Sequence, residues 1–484
     1  MTRTLIRTHG SDMTGLVGTI RLFNHHINVG YFGLALIDML LFGCAVYAGA
    51  ALYFAWMPGS LAANSGQLPV QAVIFAVVTT LAMFSMGLYE PRLREGLNGI
   101  LLRTAGAFGL TTIAMTLIFY IVPDLLIWRG NFALAAAIAF AAALINRLLW
   151  TRFIDLEQFK RRVLVLGSSD TAASINTRMR RKADRRGFRI TGYVRQAGEE
   201  TKIEGEPTIT LDCPLSEYVR RNRIDEVVIA MEERRDTLPQ EELLRCRAMG
   251  VRVLDIVDFF EQEAGKVVVS HVYASWFTLS SGFLQRDAGS LSKRLFDVVV
   301  SFLLLSVTWP FMLLTVIAIK IEDGFDAPVL YRQRRVGLNG RLFEVIKFRS
   351  MTVNAEGDGK ARWASANDCR ITRVGHFIRK TRIDELPQII NVMAGDMAFV
   401  GPRPERPEFV RELRDQIPYF DKRHCVKPGI TGWAQMNYPY GASLEDSANK
   451  LEFDLYYVKN QSLFLDFLVL LQTAEVILFG KGAR

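Results

Sequence analysis

Two adjacent acidic residues, Asp384 and Glu385, are the side chains of this sequence best suited to phosphate chemistry. Asp384 occupies a position typical of a helix N-cap, with Pro387 in the first turn. Neighbouring side chains on a helix point about 100° apart, so the two carboxylates cannot share one role. We therefore predict that one carboxylate acts as a nucleophile and the other as a ligand of Mg²⁺, which prefers one or two carboxylates with substrate phosphates. The alternative is an ordinary acidic helix N-terminus that complements the helix dipole.

A strongly basic segment, 331–382, leads into the acidic pair and holds thirteen Lys and Arg against four Asp and Glu. Its excess of positive charge equals the net charge of the whole chain, +9. Lys347-Phe-Arg349 alternates charged with apolar residues, which favours a phosphate-binding pocket. Part of the segment is also expected to contact anionic lipid headgroups. We expect no nucleic-acid partner, because no recognisable nucleic-acid-binding module occurs.

The elements that must position these residues begin with a membrane unit. Half of the 484 residues are hydrophobic, and four apolar stretches cover residues 32–56, 70–89, 104–122 and 131–150. Each is close to the ~20 residues that cross a bilayer as a helix. Basic residues precede the first stretch, separate the second from the third and follow the fourth, which predicts that both ends of the unit are cytoplasmic. We find no paired set of ionisable residues in these spans and therefore expect an anchor rather than an ion or substrate pathway.

The middle of the chain alternates short β-branched runs with charged helical runs, which predicts a Rossmann-like α/β domain with a parallel sheet. The predicted strands are 163–167, 190–194, 226–230 and 251–254, and the predicted helices are 214–222 and 239–249. Gly167 is the one glycine present where a dinucleotide-binding loop needs three, so tight NAD binding is not expected. Five scattered cysteines without a C-x-x-C pair exclude a disulfide scaffold and a cysteine-based metal site.

A fifth apolar run, 298–319, has no charge over 22 residues, which is ~33 Å as a helix. Basic residues flank both of its ends, as expected for two cytoplasmic ends. Pro310 lies near its middle, where proline removes a backbone hydrogen bond and kinks a helix. We therefore predict a re-entrant helix, 295–321, that enters and leaves the same leaflet. The alternative is a kinked fifth span, which would export everything after residue 320.

Several motifs of the C-terminal part occur together in one order. They are Lys293-Arg-Leu-Phe-Asp297, Tyr331-Arg-Gln-Arg-Arg-Val-Gly337, Phe343-x-x-x-Lys347-Phe-Arg-Ser-Met351, Arg382-Ile-Asp-Glu-Leu-Pro-Gln388, Phe399-Val-Gly-Pro-Arg-Pro404 and Lys427-Pro-Gly-Ile-Thr-Gly-Trp-Ala-Gln435. This set resembles the bacterial sugar transferase family, the monotopic phosphoglycosyl transferases, over about residues 290–484. The four-helix anchor and the degenerate Rossmann-like domain are similar to those of the large members, the polyprenyl-phosphate hexose-1-phosphate transferases of exopolysaccharide synthesis.

The resemblance implies a phosphotransferase that moves a hexose-1-phosphate from a UDP-sugar, UDP-glucose or UDP-galactose, to undecaprenyl phosphate and releases UMP. It implies that Asp384 carries a covalent phospho-sugar intermediate and that Glu385 holds Mg²⁺. The residues implied in substrate binding are Lys347, Arg349, Arg382, Arg403 and Gln435, and Pro310 has a structural role in the helix break. The lipid-linked product would initiate the synthesis of an exopolysaccharide or capsule repeat unit.

The predicted architecture has three parts: a four-helix transmembrane anchor (1–155), a Rossmann-like α/β domain without a cofactor fingerprint (156–284) and an α/β monotopic catalytic domain with the re-entrant helix (285–484). We expect a multi-pass homodimer in the lipids of the bacterial inner membrane, with the active site on the cytoplasmic face. Two alternatives are a non-catalytic membrane scaffold or regulator of polysaccharide assembly and a membrane-anchored nucleotide-sugar dehydratase. The dehydratase is disfavoured because the chain has neither a glycine-rich loop nor a Y-x-x-x-K motif.

Overall fold

Apolar helices form the N-terminal part of the structure, as the hydropathy pattern predicts. They are α1 (Val29–Trp56), α2 (Leu68–Ser85), α3 (Leu97–Ile121) and α4 (Arg129–Ile154), preceded by the short strands β1 (Thr19–Leu22) and β2 (His25–Asn28). The structure is a computed structural model that describes residues 19–22, 25–56, 67–90, 97–154, 160–195, 201–234, 237–280, 283, 291–353, 370–438, 441 and 443–479. All four helices are long and apolar enough to cross a membrane, which confirms the predicted helical bundle.

A buried ion pair between α1 and α4 corrects one expectation from the sequence. Arg147 Nη2 lies 3.3 Å from Asp38 Oδ2, and both side chains are buried. Tyr89 donates a hydrogen bond of 2.9 Å to the same carboxylate oxygen, and Asn146 donates one of 2.7 Å to the other. The bundle therefore does contain paired ionisable residues. The two partners come from different helices, so inspection of each stretch alone could not reveal them.

A parallel five-stranded sheet follows the bundle and confirms the predicted α/β domain. Its strands are β3 (Arg161–Leu166), β4 (Phe188–Val194), β5 (Thr208–Ile209), β6 (Glu226–Ile229) and β7 (Arg252–Asp255), in the order β5-β4-β3-β6-β7. The helices are α5 (Asp170–Arg178), α6 (Leu215–Arg221), α7 (Gln240–Ala248) and α8 (Ile256–Ala264). The core between sheet and helices contains Leu164, Val227 and Leu243, since the β-branched and leucine positions face inward.

Gly167, which follows β3, has a structural reason to be glycine. Its φ is +121°, a conformation that other residues rarely adopt. A Cβ at this position would lie 2.6 Å from the carbonyl oxygen of Ala230, at the end of the neighbouring strand β6. Close packing of two strand ends therefore accounts for this glycine without a nucleotide.

The remaining elements belong to a second compact unit, which consists mainly of Gly265–Arg484. Its helices are α9 (Ala274–Leu279), α10 (Leu291–Asp323), α11 (Arg373–Lys380), α12 (Gln388–Ala394), α13 (Pro407–Gln416), α14 (Trp433–Asn437), α15 (Leu444–Asn460) and α16 (Leu463–Phe479). Its strands are the antiparallel pair β8 (Leu330–Val336) and β9 (Leu342–Phe348) and the parallel pair β10 (Ala398–Val400) and β11 (Gly429–Thr431). The first unit holds nearly all of α1 to α8 and most of the chain up to Ala264. The three-domain boundaries drawn from the sequence stay a prediction.

Helix α10 contains the fifth apolar run and is 33 residues long, with Pro310 inside it. Apolar side chains along its middle, among them Phe302, Val307 and Leu314, are more than half exposed. Such a surface suits lipid rather than water. The helix is long and apolar enough to cross a membrane, as are α1 to α4.

Both ends of α10 contact residues that follow it in the chain. Near its start, Asp297 Oδ1 accepts a hydrogen bond of 2.9 Å from the backbone N–H of Phe399. Near its end, Glu322 accepts hydrogen bonds of 2.8 and 2.9 Å from the backbone N–H groups of Arg373 and Val374, at the start of α11. The exposed middle of α10 thus lies between two ends that are fixed to the same unit.

Candidate active site

The acidic pair lies on a tight turn before α12. Arg382 adopts a left-handed conformation (φ 59°, ψ 13°), and residues Ile383–Glu385 form one turn of 3₁₀-helix. Helix α12 begins at Gln388, so the N-cap predicted at Asp384 is wrong: Pro387 occupies that position. The tighter turn brings both carboxylates into the buried side of the unit, each residue with 9% of its surface exposed.

Glu385 is surrounded by three cationic side chains. Lys347 Nζ, on β9, lies 3.3 Å from Glu385 Oε1, and Arg382 Nη1 lies 3.9 Å from the same oxygen. Arg403 donates to both carboxylate oxygens, with Nη1 at 3.4 Å from Oε2 and Nη2 on Oε1. Three cations, from β9, from the turn of the acidic pair itself and from the chain after β10, therefore meet at one carboxylate. Lys347, Arg382, Arg403 and Glu385 were all predicted as site residues.

For both Glu385 and Lys347, burial and the neighbouring opposite charges shift the pKa of the side chain in opposite directions. Burial alone would raise the pKa of Glu385, but Arg403 and Lys347 outweigh it and hold that pKa well below its usual range. Burial lowers the pKa of the Lys347 ammonium, an effect that Glu385 partly offsets. Glu385 is therefore ionised at neutral pH, and its charge offsets part of the positive charge of the three cations around it.

Asp384 is in the opposite electrostatic situation. Burial and the neighbouring Glu385 charge raise its pKa to about 6, although Lys347 and Arg382 lower it. Its buried Oδ1 has no hydrogen-bond partner among the described residues. A buried carboxylate oxygen without a donor is weakly solvated and costly to keep, which is typical of a group that acts on a ligand. Environments that push the pKa values of two neighbouring carboxyl groups apart assign them different roles.

Arg403 belongs to a turn whose successive carbonyl groups are all hydrogen-bonded. The carbonyl oxygen of Pro402 accepts from Gly429 N (2.9 Å), and that of Arg403 accepts from Arg423 Nη2 (2.9 Å). The carbonyl oxygen of Pro404 accepts from Arg335 Nη1 (3.3 Å), and that of Glu405 accepts from Val336 N (3.0 Å). The two prolines fix φ and have no N–H group of their own. The turn is thus held by four groups from three places in the chain. Arg335 and Arg423 were not predicted as site residues.

Replacing Gly429 with alanine is expected to lower the free energy of unfolding of this unit by about 1–3 kcal/mol, the usual cost of overpacking. The new Cβ would lie 2.1 Å from the backbone nitrogen of Gly401, which leads into the Arg403 turn, and 2.5 Å from the carbonyl oxygen of Thr431. Backbone atoms on both sides leave no side chain that could move away. Thermal unfolding measures the effect. Gly33→Ala is the control, because a Cβ there meets no atom within 4 Å; an equal loss in both variants would contradict the steric argument.

Two further predicted residues lie apart from the Glu385 cluster. Arg349 donates a hydrogen bond of 2.6 Å to Asp323, so it fixes the end of α10 rather than the acidic pair. Its Nε and Nη1 atoms are buried without a partner among the described residues. Gln435 lies on α14, where a Cβ on Gly432 would be 3.5 Å from its Oε1, and this buried oxygen also has no hydrogen-bond partner among the described residues. Both remain predicted substrate-binding residues whose polar atoms are not all used by the protein.

A magnesium ion fits this site only together with phosphate. The described residues contain no cluster of three metal-binding side chains. Mg²⁺ needs fewer, because one or two carboxylates and phosphate oxygens suffice. The ionised Glu385 and the unpaired Asp384 oxygen supply such a set. The three cations around Glu385 repel a metal ion, because charges of the same sign repel. A bound phosphate would attract these cations and so reduce the repulsion.

Comparisons with known proteins identify the family of the chain. A family model described as bacterial sugar transferase matches residues 288–480, which include every predicted site residue. The chain is 33% identical over 369 residues to the UDP-glucose:undecaprenyl-phosphate glucose-1-phosphate transferase of Xanthomonas campestris pv. campestris, a match that covers 73% of each protein. The chain belongs to the bacterial sugar transferase family. The predicted family is confirmed, and with it the predicted class of enzyme, a transferase.

Other relatives in this family differ in the sugar that their names give. The chain is 34% identical over 338 residues to a UDP-glucose:undecaprenyl-phosphate glucose-1-phosphate transferase of Klebsiella pneumoniae, over 67% of this chain and 69% of the relative. It is 41% identical over 242 residues to the UDP-N-acetylgalactosamine-undecaprenyl-phosphate N-acetylgalactosaminephosphotransferase of Aeromonas hydrophila, over 50% of this chain and 56% of that relative. A second family model, described as a CoA-binding domain, matches residues 85–238, which include α3, α4 and strands β3 to β6.

Proposed function

We propose that this family member is a polyprenyl-phosphate glycosyl-1-phosphate transferase. It moves a hexose-1-phosphate from a UDP-sugar, UDP-glucose or UDP-galactose, to undecaprenyl phosphate and releases UMP. The observation that carries the proposal is the pair of carboxylates, in which Asp384 has an unpaired oxygen while Glu385 is bound by three cations. The names of the relatives support the two substrates.

Asp384 is the nucleophile of the reaction. Its unpaired Oδ1 attacks the phosphorus that carries the sugar, the bond from this phosphorus to the UMP oxygen breaks, and UMP leaves with the electron pair. Asp384 then holds the sugar phosphate as an acyl phosphate. An oxygen of undecaprenyl phosphate attacks the same phosphorus and frees the carboxylate. A pKa of about 6 supports this role, because the group is ionised at neutral pH but weakly stabilised.

The cations of the site provide charge neutralisation. In the absence of substrate, Lys347, Arg382 and Arg403 neutralise Glu385. When a diphosphate enters, its oxygens compete with Glu385 for these donors, and Glu385 becomes available for Mg²⁺. The ion, when bound, supplies further neutralisation of the phosphate oxygens. Positioning and charge neutralisation are the main contributions that phosphoryl transfer needs from a protein.

Helix α10 enters the bacterial inner membrane from the cytoplasm and returns to the same face. The contacts at its two ends support this course, because Asp297 and Glu322 both bind residues that follow α10. No described helix between Asp323 and Phe399 is long and apolar enough to cross a membrane. These two observations support a course with both ends on one side of the bilayer. The active site then faces the cytoplasm, where a water-soluble nucleotide sugar and a lipid phosphate can both reach it.

Reporter fusions are expected to place the chain after Glu322 and after Arg484 in the cytoplasm. The physical reason is the basic flanks and the shared contacts at the two ends of α10. A fusion within 58–68, between the first two apolar stretches, is the control and should report the periplasm. A periplasmic signal after both Glu322 and Arg484 would make 298–319 a true span and would contradict the proposal.

The product starts the repeat unit of an exopolysaccharide, and the enzyme acts as a homodimer. These two parts of the proposal rest on the resemblance of the motifs. They are separate from the chemistry of the acidic pair.

The experiment that tests the proposed function is UMP release by the purified full-length chain with undecaprenyl phosphate and Mg²⁺. A panel of UDP-glucose, UDP-galactose and UDP-N-acetylgalactosamine covers the predicted sugars and the one named by the Aeromonas relative. We expect sustained release with UDP-glucose or UDP-galactose that requires the lipid. Absence of release with every sugar would favour the scaffold alternative. Conversion of the sugar without release of UMP would favour the dehydratase.

A further inference from the structure

A buried ion pair, Arg423–Asp454, lies behind the turn that presents Arg403. We propose that these two residues are positioning residues that fix Arg403 for binding of the substrate phosphates. The inference rests on the proposed function, and it adds two residues outside the acidic pair and its three cations. Neither residue was indicated by a motif.

The geometry of the pair connects it to the site through one hydrogen bond. Arg423 Nε and Nη2 lie 3.0 and 2.7 Å from Asp454 Oδ2. The same Nη2 atom donates to the carbonyl oxygen of Arg403 at 2.9 Å. Arg403 in turn donates to Glu385. A continuous chain of polar contacts thus runs from Asp454 on α15 to the acidic pair.

The burial of the pair argues for a role beyond stability. The side chains of Arg423 and Asp454 are 6% and 3% exposed. Removing two charges from water is expensive, and apolar residues of similar size often stabilise a protein as well or better. An arginine differs from such residues in one respect, because its planar guanidinium can bind a carboxylate and a carbonyl oxygen at once. Here the carbonyl is that of the residue that neutralises Glu385.

The Arg403 turn needs such a donor. Two of its residues, Pro402 and Pro404, cannot donate backbone hydrogen bonds, so the turn is held through its carbonyl oxygens. Of the four donors to these oxygens, Gly429 and Val336 are backbone groups, which a side-chain substitution leaves in place. Arg423 binds the carbonyl of Arg403 itself, and its side chain is 6% exposed against 18% for Arg335, which binds the next carbonyl. Loss of the Arg423 donor should therefore shift the Arg403 guanidinium, which is proposed to bind the substrate phosphates.

The test is a double-mutant cycle with equilibrium binding of UMP as the readout. Arg423→Lys keeps a positive charge for Asp454, but a lysine ammonium cannot reproduce the planar guanidinium that also donates to the carbonyl oxygen of Arg403. We expect UMP to bind about tenfold more weakly, the effect of one lost hydrogen bond to a charged group. In an Arg403→Ala background the same substitution is expected to change UMP binding by less than about twofold. Arg414→Lys is the control, because Arg414 binds Asp421 in an exposed pair of the same unit.

A second variant guards against misfolding. Asp454→Asn keeps the size of the side chain while weakening its hold on Arg423, and should raise the Michaelis constant for UDP-sugar more than it lowers kcat. Equal weakening of UMP binding by Arg423→Lys with and without Arg403 would overturn the proposal, as would unchanged binding in Arg423→Lys. A wild-type chain that binds no UMP and releases none would instead refute the proposed function.

Discussion

Replacing Asp384 with asparagine is expected to abolish both half-reactions. With UDP-sugar and no lipid acceptor, the wild-type chain should release about one UMP per site and retain sugar label, because an acyl phosphate accumulates. The asparagine variant should show neither the burst nor the bound sugar, since an amide cannot form an acyl phosphate. Label carried in the uridine should not be retained by either protein. Rapid quench with UDP-sugar labelled in the sugar or in the uridine measures all of these quantities.

The pH dependence of the burst gives an independent check on the same group. Because the pKa of Asp384 is raised to about 6, the nucleophile is ionised above this pH and protonated below it. The burst rate should therefore fall as the pH decreases through about 6. Asp415→Asn, an exposed position on α13, is the control and should keep the burst. Release of UMP only in the presence of undecaprenyl phosphate, without trapped sugar phosphate, would favour direct displacement and a different role for Asp384.

Replacing Glu385 with glutamine is expected to have opposite effects on turnover and on metal-free binding. Turnover with Mg²⁺ should fall by about a hundredfold or more, because the site loses the carboxylate that suits the metal ion. UMP without metal should bind more tightly than to the wild type, because Lys347, Arg382 and Arg403 are no longer neutralised by a carboxylate. Isothermal titration in a chelator-containing buffer measures this affinity separately from activity.

The control for this prediction is Glu344→Gln. Glu344 lies on β9, the strand of Lys347, and its side chain is half exposed. It should change neither UMP affinity nor turnover. Weaker metal-free binding of UMP to the Glu385 variant would show that Glu385 holds the cations in place rather than competing with phosphate for them. Excess Mg²⁺ that partly restores turnover would indicate weakened rather than lost metal binding.

Much of the fold follows from periodicity. The apolar stretches predicted α1 to α4, and alternation of β-branched and charged runs predicted strands β3, β4, β6 and β7 to within about two residues. The strand β5 was missed, because Thr208–Ile209 is too short to show a pattern. The start of α12 was also misjudged. Asp384 is a residue type that often caps helices, but a 3₁₀ turn follows the left-handed Arg382 before α12 begins. A left-handed backbone cannot be recognised from the sequence when the residue that adopts it is an arginine.

The residues of the site were predictable to different extents. Lys347, Arg382 and Arg403 stand in motifs, and the structure brings all three to Glu385. Arg349 stands in the same motif as Lys347, but it follows the end of β9 at Phe348 and binds Asp323 instead. Arg423 and Asp454 are single residues without a motif. Only the fold, through the 3₁₀-helix Phe420–Cys425 and α15, brings them behind Arg403.

The ion pair between α1 and α4 has a consequence for how the protein is made. Asp38 is synthesised 109 residues before Arg147, the partner that neutralises it. On the predicted multi-pass topology, α1 therefore enters the membrane with a carboxyl group that has no arginine beside it, at a cost of about 2.5–3.5 kcal/mol on insertion scales for an acidic residue at a helix centre. The bundle can close only when its last helix has been inserted. Nascent chains that end before Arg147 should accordingly be less stable in the bilayer than the full-length chain and should be degraded preferentially by membrane proteases.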